Sequence, residues 1–240
     1  MITSLNNPKI KSYAALKEKK YRDESRSFLI EGERLVLQAV ASSAEINEIF
    51  VSAAAPKYIP KYPRAEILAE HVFAKLCDTE TPQGVVAIVK KSDKPFNLPQ
   101  KFSLILDGIS DSGNLGAIIR TAAGLGYNDV YLYSCADPFS PKAVRASMGG
   151  IFSVNIYETG FTDLPKISAA ATILGADMSG KLLDSITAEG NICIAIGSEA
   201  EGLSPEVRML CEEFVSIPIV VVESLNAAVA AGIIMYKIKK

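Results

Sequence analysis

The stretch Asn191-Ile-Cys-Ile-Ala-Ile-Gly-Ser-Glu-Ala-Glu-Gly-Leu-Ser-Pro205 passes abruptly from an apolar run into a turn in which two glycines bracket two glutamates. An apolar run of this length is typical of a buried strand. Ligands of open α/β sheets bind just beyond the carboxyl ends of such strands, so the turn is a candidate binding site. It contains no GxGxxG pattern, and Glu199 and Glu201 would repel a pyrophosphate. An electropositive ligand therefore fits this turn better than a dinucleotide.

Comparable apolar runs recur along the chain and alternate with helical stretches. This alternation predicts an α/β protein with a largely parallel sheet. A polar segment at 90–101, broken twice by proline, is the best linker candidate. We therefore predict one domain at 1–92, a linker at 93–100 and a second domain at 101–240. The predicted strands are at 49–51, 85–89, 103–106, 130–133 and 192–196.

Composition excludes several classes of protein. The chain has 240 residues, 49% of them hydrophobic, which is enough for packed cores. No apolar run approaches the roughly 20 residues of a membrane-spanning helix, and the first residues lack the pattern of a secretory signal, so a cytoplasmic location is expected. Cys77, Cys135, Cys193 and Cys211 form no CxxC pair. Neither a metal site nor a disulfide framework is expected.

The amino-terminal 22 residues are basic although the whole chain has a formal net charge of −2. Six lysines and arginines stand there against Glu18 alone. A solvated face of an amphipathic helix would explain such a run. An RNA-contacting surface would also explain it, and Tyr13 and Tyr21 within the run favour that alternative.

Two further segments carry polar residues beside helical patterns. Asp111-Ser-Gly-Asn-Leu-Gly-Ala-Ile-Ile-Arg120 precedes and begins a predicted helix over 115–125, with Asn114 or a neighbour as its cap. The apolar residues of that helix share one arc, and Arg120 points away from it. Ile217-Pro218 and Glu223-Ser-Leu-Asn226 precede an alanine-rich helix that Ser224 is predicted to cap.

These three segments, in this order, resemble the three motifs of the SpoU/TrmH family of SPOUT-class RNA 2'-O-ribose methyltransferases. Residues 4–11 and 28–32 resemble the RNA-binding domain of that family. The resemblance implies a carboxy-terminal SPOUT domain with a mostly parallel sheet and a trefoil knot, and a small α/β substrate-binding domain similar to a ribosomal protein. It also implies a homodimer whose active sites draw residues from both subunits.

The resemblance further implies S-adenosylmethionine as cofactor and RNA as partner, with no DNA and no membrane. The family's residue roles are carried over position by position. The catalytic set is Arg120, Glu199, Asn114, Ser224 and Asn226. The cofactor-binding set is Ile196, Gly197, Ile217, Leu225 and Asn226. The RNA-contacting set consists of Lys9, Lys11, Lys20 and Arg22 of the basic run, with Lys142 and Arg145 of the segment 140–150, which also resembles a segment of the family. Metal ligands are not implied.

Two positions depart from the family's pattern. Ser112 stands where the first motif usually has proline, which should loosen the turn without removing a functional group. In the third motif Val220-Val-Val222 fills a span that is one residue shorter than usual and lacks its glycine. Valine does not adopt the left-handed conformations that glycine does, so weakened cofactor binding is expected.

The function that this resemblance implies is methylation of a ribose 2'-hydroxyl in rRNA or tRNA. Arginine is effectively always protonated, so Arg120 would stabilise the developing alkoxide, with Glu199 orienting its guanidinium. A non-catalytic RNA-binding protein that kept the fold is the first alternative. An α/β enzyme acting on a small soluble substrate is the second. A measurement of cofactor binding would distinguish the methyltransferase from the non-catalytic RNA-binding protein. A measurement of RNA binding at varied salt would distinguish it from the enzyme with a small soluble substrate.

Overall fold

The computed structural model describes residues 1–92, 94–187, 189–222 and 224–239. Asp93 of the predicted linker and Glu223 of the third segment lie outside the described residues. The helices are α1 (Pro8–Ala14), α2 (Lys19–Ser25), α3 (Glu33–Ala41), α4 (Glu70–Leu76), α5 (Ser112–Leu125), α6 (Pro141–Ser147), α7 (Leu164–Ser168), α8 (Pro205–Arg208) and α9 (Ala227–Ile238). The strands are β1 (Ser27–Glu31), β2 (Ile46–Ser52), β3 (Glu66–Leu68), β4 (Val85–Lys90), β5 (Phe102–Asp107), β6 (Asp129–Tyr133), β7 (Asn155–Glu158), β8 (Thr172–Leu182), β9 (Ile192–Ile196) and β10 (Glu213–Ser216).

The described residues form two sheets. The first has the order β1-β4-β2-β3 and mixes antiparallel with parallel pairs. The second has the order β10-β8-β9-β5-β6-β7, and all of its pairs are parallel. The predicted α/β class with a largely parallel sheet is confirmed. A trefoil knot at the carboxyl end stays a prediction, as do the domain boundaries.

The strand order of the second sheet places the turn after β9 beside the turn after β5. Strands β6 and β7 lie on one side of β5 in the sheet, and β9, β8 and β10 lie on the other side. Adjacent loops at the carboxyl ends of two parallel strands that diverge in this way form a crevice where ligands of open α/β sheets bind. The segments 108–114 and 197–202 both open into this crevice.

Both faces of the second sheet are buried, as the apolar strands predict. Alternate residues point to opposite faces of a strand, so Leu104 and Leu106 of β5 join one core cluster, with residues of α5 and α9, whereas Ile105 joins the other. The predicted strands are all present. Five strands were not among those predicted: β1 and β3 of the first sheet, and β7, β8 and β10 of the second. β7 and β10 are edge strands of only four residues. The apolar pattern of β8 is interrupted by Gly175, Asp177 and Gly180, although the strand itself is continuous.

The first sheet and its helices are anchored to the second by buried charge and aromatic contacts. Arg22 donates to Asp137 Oδ2 from Nε at 2.9 Å and from Nη2 at 2.5 Å, and to the Leu16 carbonyl at 2.6 Å. The rings of Phe28 and Phe139 lie 5.0 Å apart. Arg22 is only 3% exposed. The prediction that Arg22 contacts RNA is therefore wrong, because its guanidinium is buried and already hydrogen-bonded to Asp137 and to the Leu16 carbonyl.

Within the described ranges no helix is long and apolar enough to cross a membrane.

Candidate active site

The side chains of Asn114, Glu199 and Asn226, one from each of the three segments, form a hydrogen-bonded chain. Asn114 Nδ2 donates to Glu199 Oε1 at 2.5 Å, and Asn226 Nδ2 donates to Asn114 Oδ1 at 2.9 Å. The Ala227 amide also donates to Glu199 Oε1, at 3.3 Å. The structure thus brings together three of the five residues predicted to be catalytic, and it fixes the orientation of both amides.

The first turn of α5 sets the position of Asn114. Asp111 is the N-cap, and its Oδ1 accepts the Asn114 backbone amide at 2.8 Å. The helix therefore begins at Ser112, three residues before the predicted start, and Asn114 lies inside the first turn. Lys142 Nζ donates to Asp111 Oδ2 at 2.6 Å. This hydrogen bond, followed by that from Asn114, lowers the pKa of the Asp111 carboxyl.

The start of α9 sets the position of Asn226. Asn226 is the N-cap, and its Oδ1 accepts the amides of Ala228 and Val229 at 3.0 and 3.3 Å. The prediction that Ser224 caps this helix is therefore wrong, because the chain becomes helical only at Ala227. Capping leaves the Nδ2 of Asn226 for Asn114, so one side chain both starts a helix and joins the site.

The glycine-bracketed turn after β9 is closed by the close approach of its two ends. The Ser198 amide donates to the Gly202 carbonyl at 3.1 Å and the Gly202 amide to the Ser198 carbonyl at 3.0 Å. A Cβ atom at Gly197 would lie 2.1 Å from the Gly202 carbonyl carbon, a distance that no side chain tolerates. Because residue 197 is glycine, the two ends of the turn can lie this close together, and Glu199 can contact Asn114 of α5 and Ala227 of α9.

A cavity of about 330 Å³ opens beside this turn. Four of the five residues predicted to bind the cofactor line it, and Ser224 of the predicted catalytic set lines it too. The fifth, Asn226, does not line the cavity, although Leu225 and Ala227 on either side of it do. The four are Ile196, Gly197, Ile217 and Leu225.

The chemistry of the cavity wall suits a ligand that is part apolar and part cationic. Ile196, Ile217 and Leu225 supply apolar surface, and the turn supplies the carboxylates of Glu199 and Glu201. Cavities of this size and composition accommodate cofactor-sized molecules. A carboxylate near a bound cation stabilises its charge in a site that excludes water. The residues present therefore fit S-adenosylmethionine, whose sulfonium is positive.

Asp177 is a wall residue that the sequence did not reveal. It lies on β8, where its carboxylate accepts the amide and the hydroxyl of Ser179 at 2.8 and 2.6 Å and pairs with Arg208. These hydrogen bonds, from Ser179 first and Arg208 second, lower the pKa of Asp177 to about 2. The carboxylate is therefore ionised at neutral pH. No sequence signal marked it, because it belongs to a strand that was not predicted.

The valine segment lies in solvent at the rim of the cavity. Val220, Val221 and Val222 are 96%, 91% and 58% exposed, whereas Ile219 just before them contributes to the cavity wall. Three consecutive exposed valines are unusual for a loop of this kind, because apolar surface gains nothing from contact with water. Their effect on cofactor binding stays a prediction.

Arg120 stands on the exposed side of α5 and does not pair with Glu199 of its own chain. Among the described residues it has no ion pair or hydrogen bond, and its pairing with Glu199 stays a prediction. Arg120 follows Asn114 by six positions, so the two side chains leave the helix in directions about 120° apart. The neighbouring backbone is close: a Cβ at Gly150 would lie 2.9 Å from Arg120 Cα.

The remaining predicted RNA contacts differ in their surroundings. Lys9 binds Glu48 and Glu66 at 2.7 and 2.8 Å, and Lys142 binds Asp111. Arg145 Nη1 lies 2.8 Å from Asp78 Oδ2. Lys11 and Lys20 are exposed, and the nearest carboxylate to Lys20 is that of Glu24 at 4.0 Å. A phosphate contact by these five residues stays a prediction. Lys9, Lys142 and Arg145 would have to contact a phosphate while they also contact a carboxylate.

No group of three or more histidine, cysteine or acidic side chains capable of holding a metal ion occurs in the described part of the chain. The four cysteines are unpaired thiols. Burial raises the pKa of Cys77 and of Cys193 to about 12. These two thiols are protonated at neutral pH and are poor nucleophiles.

Comparisons with known proteins agree with this geometry. The profile of the SpoU rRNA methylase family matches residues 101–236, and that of the MRM3-like substrate-binding domain matches residues 7–87. The 23S rRNA (guanosine(2553)-2'-O)-methyltransferase of Bacillus subtilis is 30% identical over 99% of this chain and 98% of its own length.

Two solved structures have the same fold over nearly the whole chain. The AdoMet-bound rRNA methyltransferase from Sinorhizobium meliloti superposes with a TM-score of 0.88 at 30% identity, covering 99% of this chain and 96% of its own. The SpoU methyltransferase AviRb from Streptomyces viridochromogenes, in complex with AdoMet, superposes with a TM-score of 0.84 at 27% identity and covers 98% and 97%.

Proposed function

The chain belongs to the SpoU rRNA methylase family, and we propose that it transfers a methyl group from S-adenosylmethionine to a ribose 2'-hydroxyl of ribosomal RNA. The enzyme is an RNA 2'-O-methyltransferase and its cofactor is S-adenosylmethionine. One observation carries the assignment of the site: the chain of hydrogen bonds through Asn226, Asn114 and Glu199 at the edge of the 330 Å³ cavity.

The cofactor supplies a methyl group on a sulfonium centre, and the protein must present a hydroxyl oxygen to it in line and accommodate one proton. Ile196, Ile217 and Leu225 line the cavity with apolar surface. The Glu199 carboxylate is fixed by two donors and borders the cavity, where it favours positive charge. These residues are proposed to bind and orient the cofactor.

Arg120 is proposed to act on the hydroxyl rather than on the cofactor. A guanidinium is always protonated, so it cannot accept the proton, but it stabilises the alkoxide that develops during transfer. In its own chain Arg120 is exposed and has no carboxylate partner among the described residues. That freedom suits a role in the site of a second subunit, where Arg120 would complete the constellation of Asn114, Glu199 and Asn226.

We accordingly propose a homodimer in which each active site combines the cavity of one chain with Arg120 of the other. Exposed apolar surface on α9 supports this: Val229 and Ile233 are 52% and 40% exposed on a helix that packs beside α5. Apolar patches of this kind are where subunits associate. A cytoplasmic location, and the absence of DNA and membrane partners, remain predictions.

The test is methylation of RNA by the purified full chain. Ribosomal RNA and tRNA from cells that lack the protein are incubated with it and S-adenosylmethionine carrying a labelled methyl group, and modified nucleotides are located by mass mapping. We expect label on one ribose of ribosomal RNA. Label on tRNA alone would contradict the proposal that ribosomal RNA is the substrate. Cofactor binding without label on either RNA would favour a non-catalytic RNA-binding protein.

A further inference from the structure

A groove of about 420 Å³ lies where the first half of the chain meets the end of α6. One wall is formed by Arg34 of α3 and by the loop that carries Thr79, Thr81 and Gln83. The other wall is formed by Arg145 and Met148 at the end of α6. The groove is separate from the cofactor cavity, with which it shares no lining residue.

Arg34 places in this groove a positive charge that is unpaired among the described residues. Its side chain is exposed and has no ion pair or hydrogen bond with any residue that the structure describes. Arg145, on the opposite wall, touches Asp78 at 2.8 Å without the geometry of a hydrogen bond. Guanidinium groups present a planar fork that matches the oxygens of a phosphate. Arg34, whose charge is unpaired among the described residues, therefore favours an anionic ligand in the groove.

Neutral donors accompany the arginines. Gln83 Oε1 accepts the Glu33 amide at 3.3 Å, which orients the Gln83 side chain. Neither the Gln83 amide nitrogen nor the Thr81 hydroxyl has a partner among the described residues. Amide and hydroxyl groups of this kind, together with arginine, make most contacts to the phosphates and sugars of nucleic acids.

The acidic side chains at the groove are already satisfied. Glu31 accepts the Asp78 amide at 2.6 Å, and it accepts the amide and hydroxyl of Thr79 at 3.4 and 2.8 Å. Asp78 is paired with Arg145, and Glu80 of the same loop does not line the groove. The carboxylates therefore stabilise the loop, and Arg34 is the charge left for a ligand.

The segment Gly149–Gly150, which follows Met148 of the groove wall, lies close to both α3 and Arg120. Gln38 follows Arg34 by one turn of α3, and a Cβ at Gly149 would lie 2.9 Å from Gln38 Cγ. The next residue, Gly150, is equally close to Arg120 Cα. The Gly149–Gly150 segment is thus pressed between α3 and α5. Arg120 and the groove therefore lie on either side of one short segment, close enough for a single RNA chain to contact both.

We propose that this groove binds the sugar–phosphate backbone of a single-stranded RNA segment that flanks the methylated nucleotide, with Arg34 contacting a phosphate. This proposal rests on the proposed function and adds the path of the RNA over the first half of the chain. It assigns that role to the groove rather than to the basic run at residues 1–22, where Arg22 is buried and Lys9 is paired.

The first test compares Arg34→Ala with Arg64→Ala in the full chain. Arg64 is also exposed and has no partner among the described residues, but it does not line the groove. Binding of protein-free ribosomal RNA is measured over a range of salt concentrations. Arg34→Ala should weaken binding roughly 5- to 20-fold at low salt and lower the salt slope by about 0.7, the value for one phosphate on a single strand. Arg64→Ala should bind like the unchanged protein.

A second pair of variants tests the groove without removing an arginine. Thr81→Glu adds a carboxylate to the wall, and Thr81→Gln adds a neutral side chain of similar size. We expect the glutamate variant to bind RNA at least 5-fold more weakly than the glutamine variant, because like charges repel a phosphate. Thermal unfolding and binding of S-adenosylmethionine should be the same in both.

Three outcomes would overturn the proposal: unchanged binding by Arg34→Ala, a loss of affinity with an unchanged salt slope, or equal binding by the two Thr81 variants. A failure of the proposed function would look different. In that case the unchanged protein itself would fail to methylate RNA, whereas a failure of the groove leaves methylation by the unchanged protein intact.

Discussion

Asn114 and Glu199 are 85 residues apart in the chain, and a hydrogen bond of 2.5 Å joins Nδ2 of the first to Oε1 of the second. Asn114 lies in the first turn of α5, which follows β5, and Glu199 lies in the turn after β9; these two strands are neighbours in the sheet. A carboxylate oxygen that accepts both this amide and the Ala227 backbone is held in one orientation. That fixed orientation is what a site needs if it is to act without reorganising during the reaction.

Asn114→Ala should slow methyl transfer by about 10²-fold, because Glu199 loses one donor, Asn226 loses its acceptor, and a displacement of about 1 Å has this effect on rate. Initial rates on ribosomal RNA measure the change. Asn128→Ala is the control, since Asn128 is exposed and its side chain makes no hydrogen bond with the described residues. Equal activity of both variants would show that the hydrogen-bonded chain is not needed.

Arg120→Ala should abolish methyl transfer and leave cofactor affinity within a few-fold of the unchanged protein, because Arg120 lines no part of the cofactor cavity. Arg120→Lys should fail nearly as badly, since lysine lacks the planar fork. Calorimetric titration with S-adenosylmethionine separates binding from turnover. An equal loss of binding and activity would mean that Arg120 has a structural role.

Mixing two inactive variants tests whether the active site is shared. If Arg120 of one subunit serves the cavity of the other, subunit exchange between Arg120→Ala and Glu199→Ala creates dimers with one intact site. Random exchange then restores about a quarter of the full activity. Each variant mixed with itself is the control. No recovery after exchange, verified by mass spectrometry of tagged dimers, would contradict the shared site.

Gly197→Ala should destabilise the protein by about 1–3 kcal/mol and weaken cofactor binding, because the added methyl overlaps the Gly202 carbonyl and forces the turn open. Gly124→Ala is the matched control: no atom lies within 4 Å of its added Cβ, and helical alanine is favoured by roughly 0.5–1 kcal/mol. Thermal unfolding and cofactor titration are the measurements. A Gly197→Ala variant as stable as the Gly124→Ala variant would contradict this account of the turn.

Asp137→Asn should lower the free energy of unfolding by about 3–5 kcal/mol, because it leaves the Arg22 charge buried without its counter-ion. Glu24→Gln removes an exposed partner of Lys20 at 4.0 Å and should change stability by less than about 1 kcal/mol. Urea denaturation gives both values. Similar small effects in the two variants would show that the Arg22–Asp137 contact does not hold the two halves of the chain together.

Asp177→Asn should reduce stability in a pH-dependent way. The folded-state pKa of about 2 lies below the ordinary value near 4, so the ionised carboxylate stabilises the fold above about pH 4, and this contribution disappears as the pH falls toward 2. The unchanged protein should exceed the variant by about 1–2 kcal/mol at pH 7. The difference should vanish near pH 2. Asp184→Asn, whose carboxylate side chain is 81% exposed, should show little effect at any pH.

The sequence by itself determined five of the strands, β2, β4, β5, β6 and β9, and the local turns. The apolar run at 192–196, the glycines at 197 and 202 and the polar residues before α5 and α9 are local patterns, and each has a conformational consequence within a few residues. The α/β class followed from them, whereas the cavity-lining positions followed from the resemblance to the SpoU/TrmH family. Helix starts were less determinate: Asp111 and Asn226 cap α5 and α9, whereas the pattern also allowed Asn114 and Ser224.

Only the tertiary structure decided which distant groups meet. Whether the guanidinium of Arg22 faces solvent or Asp137, 115 residues later, depends on how the two sheets pack, and no local pattern encodes that. The same holds for Arg120, which shares α5 with Asn114 but leaves it in another direction and makes no hydrogen bond or ion pair with Glu199 within the chain. Strand order placed the carboxyl end of β5 beside that of β9. Periodicity fixes the face of an element that is buried, but the sheet order fixes its neighbours.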